Sequence, residues 1–318
     1  MLGWIVLAVG LVVVGLIAGL FLFSSNLARK VNAGMPPAGT LHDVEGGRIH
    51  AVEKGEGPPV VLIHGLFGNL LNFNYGLIDE LARSYHVIAL DRPGCGWSER
   101  DSDARARLPE QAAMIARYLE KRGVGPALIC GHSLGGALSL TLALNHPERV
   151  AGLAMVSPLT AEQPTPPDVF KPLQIASGTV RRLVAHTLAM PMSVRRGDAT
   201  LDIVFGPETA PADFRSRGGG YLTLRPREFV AAATDLMRVP EDMPAIIARY
   251  GELDLPMGML YGLSDRVLDA HTHIAAIQEV HPGLDLEVHE AVGHMPLVTQ
   301  VDTCLAFIRR QADRAFGE

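Results

Sequence analysis

Cysteine is scarce in this chain: three among 318 residues, at Cys95, Cys130 and Cys304. An odd, scattered set excludes a disulfide framework, and no Cys-x-x-Cys pair exists for metal or redox work. Cys130 sits in an apolar run, where a free thiol acts as a small buried hydrophobe. Such thiols fit a reducing compartment. A basic surplus is also missing. The 28 Lys and Arg face 34 Asp and Glu, a formal net charge of −6 that argues against a nucleic-acid partner. The 33 Gly and 22 Pro are spread along the chain, so no low-complexity tract forms, and no internal repeat is visible. The length allows one large domain with a core, plus something extra.

Charge is absent altogether from residues 1–23. A helix of that length is roughly 34 Å long, against a hydrocarbon core of about 30 Å. This stretch accounts for a mean hydropathy of +0.19. A cleaved signal peptide would want a basic start and an apolar core of about 7–15 residues. Neither is present, so residues 1–23 are expected to be an uncleaved single-pass anchor. Arg29 and Lys30 follow it, and the positive-inside tendency places the C-terminal bulk in the cytoplasm. Gly15 and Gly19 form a Gly-x-x-x-Gly pair, read here as ordinary for such helices. Residues 24–40 are expected to be a linker, with Pro36-Pro37 near its end.

From Leu41 onward short apolar runs alternate with helical patterns. Strands are expected at 48–52, 60–63, 87–90, 127–130, 150–156, 256–261 and 284–288. Helices are expected at 109–121, 137–145, 270–280 and 302–312. Continuously apolar strands between helices imply an α/β fold with a mostly parallel, doubly wound sheet covered on both faces. Ligands of such sheets lie outside the carboxyl ends of the strands. Residues 157–252 break the rhythm and are expected to form a helical cap over that edge, splitting the core into 41–156 and 253–318. Within the cap, Arg181-Arg182 and Arg195-Arg196 read as a solvated face, with attraction to anionic lipid as a second option.

The run Gly131-His132-Ser133-Leu134-Gly135-Gly136 joins a buried strand to a helix. That context fits a strained turn that lifts one hydroxyl out of the backbone, so Ser133 is the candidate nucleophile. The start of the helix also brings free N–H groups and positive dipole to it. A serine needs a base. His294, on the loop after the last strand, is the candidate, and His289 at the end of that strand is the weaker rival. His132 stands beside the serine on the wrong side of the turn. His271 and His273 are spaced i, i+2 and make a poor metal pair. The imidazole needs an acid to hold its tautomer. Asp265 lies just past a strand, whereas Asp254 precedes that strand and Asp269 belongs to the next helix. For the oxyanion, one N–H is expected from Leu134. The other is expected from the loop after an early strand, with Leu66 first and Phe67 second. His64 reads as a brace for that loop.

With these residues in place, the chain from about Leu41 to its end resembles the α/β-hydrolase superfamily, in its serine esterase and lipase-like branch. The resemblance rests on His64-Gly65, Asp91-Arg92-Pro93-Gly94-x-Gly96-x-Ser98, Gly131-His132-Ser133-Leu134-Gly135-Gly136 and Gly293-His294, in that order. It implies a cap where the insertion lies. It also implies that Asp91 to Ser98 is a structural turn near the pocket. The expected activity is hydrolysis of carboxylic esters through an acyl-enzyme on Ser133, with no metal and no organic cofactor. The anchor points to lipid-like esters such as acylglycerols, and Met190, Met192 and Met237 would suit an acyl chain or serve as cap core. The partners expected are a small-molecule or lipid ester and the membrane, with no nucleic acid. Three alternatives stay open on the same fold. They are a carbon–carbon bond hydrolase, an acyltransferase and a non-catalytic ligand-binding protein.

Overall fold

A computed structural model describes residues 1–163, 165 and 167–317. Among the described residues nine strands form one sheet: β1 (Thr40–Val44), β2 (Gly47–Lys54), β3 (Pro59–Ile63), β4 (His86–Leu90), β5 (Glu99–Arg100), β6 (Ala127–His132), β7 (Val150–Val156), β8 (Met257–Gly262) and β9 (Asp285–His289). Their order is β1-β2-β4-β3-β6-β7-β8-β9, with β5 paired to β2. β1 and β2 pair antiparallel, and the pairs from β4 through β9 are all parallel. The inner parallel strands β3, β4, β6, β7 and β8 are mostly apolar because both faces are covered, whereas the edge strand β9 carries Asp285 and Glu287. Val61, Ile63 and Ile129 point into a core with the helices Leu108–Lys121 and Leu134–Asn145. Val60, Leu62 and Cys130 point into the opposite core, shared with the helix Val301–Phe316. β1 escaped the sequence pattern because it is a partly exposed edge strand whose register partners lie on β2 alone.

Two expectations are corrected here. Residues 24–34 are not linker: a single helix, α1 (Leu2–Gly34), runs for 33 residues. No glycine or proline interrupts it between Ser24 and Ala33, and it stops at Met35, just before Pro36-Pro37. The helix after Ser133 begins at Leu134 rather than at residue 137. Its glycines pack tightly instead of breaking it: a Cβ on Gly135 would lie 2.3 Å from the carbonyl oxygen of Ile63.

Between β7 and β8 the chain leaves the sheet. It forms helices Gly178–Val184 and Met190–Phe205, joined by a wide π turn at Ala185–Ala189, and then the helix Pro226–Ile247. Buried ion pairs tie this segment to the sheet's loops. Arg92 and Arg100 both hold Asp235, at 2.9 and 2.5 Å. Arg225 pairs with Glu228 at 2.6 Å and donates to the Gly96 carbonyl. Arg181 belongs to this packing and not to a solvated face. It is buried and donates to Thr234 Oγ1 and to the Ile175 carbonyl, while Arg182 stays exposed.

Candidate active site

β6 ends at His132, and Ser133 then takes φ 54° and ψ −121° before the helix starts. A non-glycine residue holds such a conformation only where its surroundings force it. Its backbone is fixed from both sides: Ser133 N–H donates to Val156, and the Ser133 carbonyl accepts from Gly136 and Leu159. Gly131 permits this crossing, since a Cβ there would meet Ser139 Oγ at 2.3 Å.

His294 and Asp265 reach Ser133 from loops after neighbouring strands. Ser133 Oγ lies 3.0 Å from His294 Nε2, and His294 Nδ1 lies 2.6 Å from Asp265 Oδ2. The other oxygen, Asp265 Oδ1, accepts the N–H groups of Val267 and Leu268 at 2.7 and 3.0 Å. Burial acts to raise the Asp265 pKa. It is outweighed by the adjacent His294 and by these hydrogen bonds, so the carboxyl is held below its ordinary value. Asp265 is therefore ionised at neutral pH and fixes the proton on His294 Nδ1. That leaves Nε2 to accept from the serine hydroxyl.

The loop after β3 passes close to the serine: a Cβ on Gly65 would lie 2.9 Å from Ser133 Cβ. Leu66 and Leu134 border the same cavity as Ser133. Leu134 opens its helix, so its N–H has no intrahelical acceptor. Phe67 sits at φ 57° and packs its ring toward the cap. The cavity measures about 140 Å³, with Leu159, Phe170, Leu236 and Met237 among its walls. Of Met190, Met192 and Met237, only Met237 lines it. Met190 is buried in the cap's own core and Met192 faces outward.

The remaining candidates stand elsewhere. His289 bonds Glu287, and Asp269 caps the helix Ala270–Gln278. His273 is buried and accepts from the N–H groups of Thr160 and Ala161, while His271 is exposed. His64 donates to the Gly65 carbonyl and accepts the Arg92 N–H, bracing its loop as expected. Asp91 is a turn anchor: it binds His50 and the N–H groups of Leu70 and Trp97. No group of three or more His, Cys, Asp or Glu gathers to hold a metal among the described residues.

His132 is the contact that sequence reasoning missed. Its Nε2–H donates to the His294 carbonyl at 2.8 Å, and the two rings lie 4.9 Å apart. Burial, with His294 beside it, pushes its pKa down to about 3, so it stays neutral. Its position at the carboxyl end of β6 was the available signal; the partner is 162 residues away.

A family model described as the alpha/beta hydrolase fold matches residues 58–196. The acetyltransferase component of an acetoin-cleaving system from Cupriavidus necator is 42% identical over 118 residues, 37% of this chain and 31% of that protein. The chain thus spans about a third of the length of the curated relatives it matches. A solved putative aryl esterase from Burkholderia cenocepacia superposes with a TM-score of 0.70 at 20% identity, covering 88% of this chain and 99% of its own. A bacterial membrane phospholipase A superposes with a TM-score of 0.64 at 24% identity, covering 98% and 100%. By its strand order, by the match over residues 58–196 and by these shared folds, the chain has the α/β-hydrolase fold.

Proposed function

We propose that this protein is a membrane-anchored serine hydrolase of carboxylic esters, acting on lipid-like esters such as acylglycerols. The observation that carries the reading is the Ser133–His294–Asp265 chain of contacts, at 3.0 and 2.6 Å, opening on an apolar cavity. Ser133 Oγ attacks the acyl carbonyl while His294 Nε2 takes its proton. Asp265 stabilises the imidazolium. The N–H groups of Leu134 and Leu66, with Phe67 as the alternative second donor, receive the oxyanion. His294 then protonates the leaving alkoxide, and the acyl group stays on Ser133. Water, deprotonated by His294, attacks the acyl-enzyme and releases the carboxylic acid.

Two observations support a lipid-facing role. α1 is long and apolar enough to cross a bilayer, and none of its most hydrophobic stretch is buried. Its last turns pack on the cap through Leu27, Val31 and Asn32, which disfavours a cleaved leader, since cleavage would strip those cap residues of partners. Arg29 and Lys30 favour a catalytic domain on the cytoplasmic side. The similarity to a membrane phospholipase A extends over nearly the whole chain and supports the same reading.

The test is hydrolysis of a chain-length series of p-nitrophenyl esters and monoacylglycerols by the full chain in detergent. Wild type should turn over, Ser133→Ala should lose activity by several orders of magnitude, and longer acyl chains should be preferred. A folded wild type without turnover would replace this reading with carbon–carbon cleavage, acyl transfer or ligand binding.

A further inference from the structure

The cap carries an apolar ridge that its own packing does not use. Val180, Leu183, Leu188 and Met192 are 48%, 56%, 52% and 43% exposed. Steps of three and four residues keep helical side chains on one face. The five-residue step from Leu183 to Leu188 spans the π turn, whose wider repeat brings position 188 back to that face. A soluble surface rarely aligns so many large apolar side chains.

The ridge also lies at a definite level relative to α1. The apolar stretch of α1 from Leu2 to Phe23 is about 33 Å long at 1.5 Å per residue, against a hydrocarbon core of about 30 Å. Its inner end is where α1 meets the cap: Phe21 stacks on His186 at 5.4 Å, and Ser24 Oγ donates to the Thr187 carbonyl. Leu188 is the next residue. Arg195 and Arg196 follow on the same helix, exposed and without an ion-pair partner among the described residues. Asp198 on this helix is offset by Arg215 at 2.6 Å. Apolar side chains followed by free cations suit acyl boundary and anionic headgroups respectively.

We propose that the cap helices 178–205 dock edgewise on the surface of the same anionic phospholipid bilayer that α1 enters. This rests on the membrane-anchored reading above and deepens it. The face of these helices opposite the ridge packs through Ala185, Ala189 and Met190 into a cluster that also holds Leu66, Phe170 and Leu236, three walls of the Ser133 cavity. Docking would set the cavity beside the lipid from which an acylglycerol leaves.

The native cysteines are all buried, so single labels can be placed in the full chain. Leu188→Cys, Met192→Cys and, as a remote exposed control, Val280→Cys would each carry an environment-sensitive fluorophore. The proteins would be reconstituted in phosphatidylcholine–phosphatidylglycerol vesicles. Labels at 188 and 192 should be quenched several-fold more by nitroxide lipid than by aqueous iodide, and the label at 280 should show the reverse. Arg195→Glu with Arg196→Glu should weaken lipid quenching at 192. Iodide accessibility at 188 and 192 equal to that at 280 overturns the proposal. So does cross-linking of the ridge between two copies without lipid quenching, which would assign it to self-association. Carbonate extraction of wild-type vesicles separates the two failures. Aqueous labels on a protein that resists extraction sink the docking alone, while an extracted protein sinks the anchor and the docking together.

Discussion

At Asp265 the two carboxylate oxygens have different duties, and the difference predicts a mutant. Oδ1 is spent on the N–H groups of Val267 and Leu268, and Oδ2 on His294 Nδ1. An asparagine keeps the shape but must aim its NH₂ at one of these donors. Asp265→Asn should leave the fold intact and lower kcat on a soluble p-nitrophenyl ester by on the order of 10³–10⁴-fold, because it favours the wrong imidazole tautomer. A loss smaller than tenfold would remove Asp265 from the mechanism. Gly135 makes a different prediction. The atoms its Cβ would strike, at 2.3 and 2.7 Å, are the carbonyl oxygens of Ile63 and His64, backbone that cannot step aside. Gly135→Ala should cost about 1–3 kcal/mol or more in urea unfolding, and should misplace Ser133 as well.

The cap and α1 are the elements whose attachment matters most. Asp235 is wholly buried between Arg92 and Arg100, so Asp235→Ala would leave two guanidinium groups without their carboxylate. Breaking such a pair costs about 3–5 kcal/mol, and thermal unfolding of the variant should shift down accordingly. Truncation of α1 should divide at the point where packing begins. Removal of residues 1–19 deletes only exposed positions, whereas removal of residues 1–34 also takes Phe21 from His186, Leu27 and Val31 from the cap and Asn32 from Arg225. The longer truncation should lower the melting temperature and the shorter should not; equal behaviour would mean that the last turns of α1 contribute nothing to the cap. These contacts were not readable from sequence. Arg92 and Asp235 lie 143 residues apart, and Arg225 and Asn32 lie 193 apart. Polar pairs at that separation leave no periodicity. The central strands and the Ser133 turn were readable because local chemistry dictates them: β-branched runs for β3 and β4, glycines on either side of a serine at the end of β6. Asp265 could be told from Asp254 and Asp269 because only one of the three follows a strand at the carboxyl edge.

Across the whole molecule, buried neutral histidines set the acid limit of stability. Burial pushes His64 and His273 down to about 4 and His132 to about 3, from an ordinary 6.5. The unfolded chain therefore binds more protons than the folded one between about 6.5 and about 4. Stability rises with pH through that interval and is lost as pH falls through it. Asp91 and Asp265 are held below their ordinary 3.8, so the stability they confer is present above that value and lost only at lower pH. Acid unfolding should thus begin with the histidines. The melting temperature, followed from pH 8 to pH 4 in constant salt, should be level at first and fall below about 6.5. His273→Asn offers an independent check, because an amide oxygen can accept from Thr160 and Ala161 where Nδ1 does now, yet cannot be protonated in this range. Its melting curve should slope less steeply with pH than that of wild type. An unchanged slope would show that His273 takes up no extra proton on unfolding, and the acid limit would then have to come from the carboxylates.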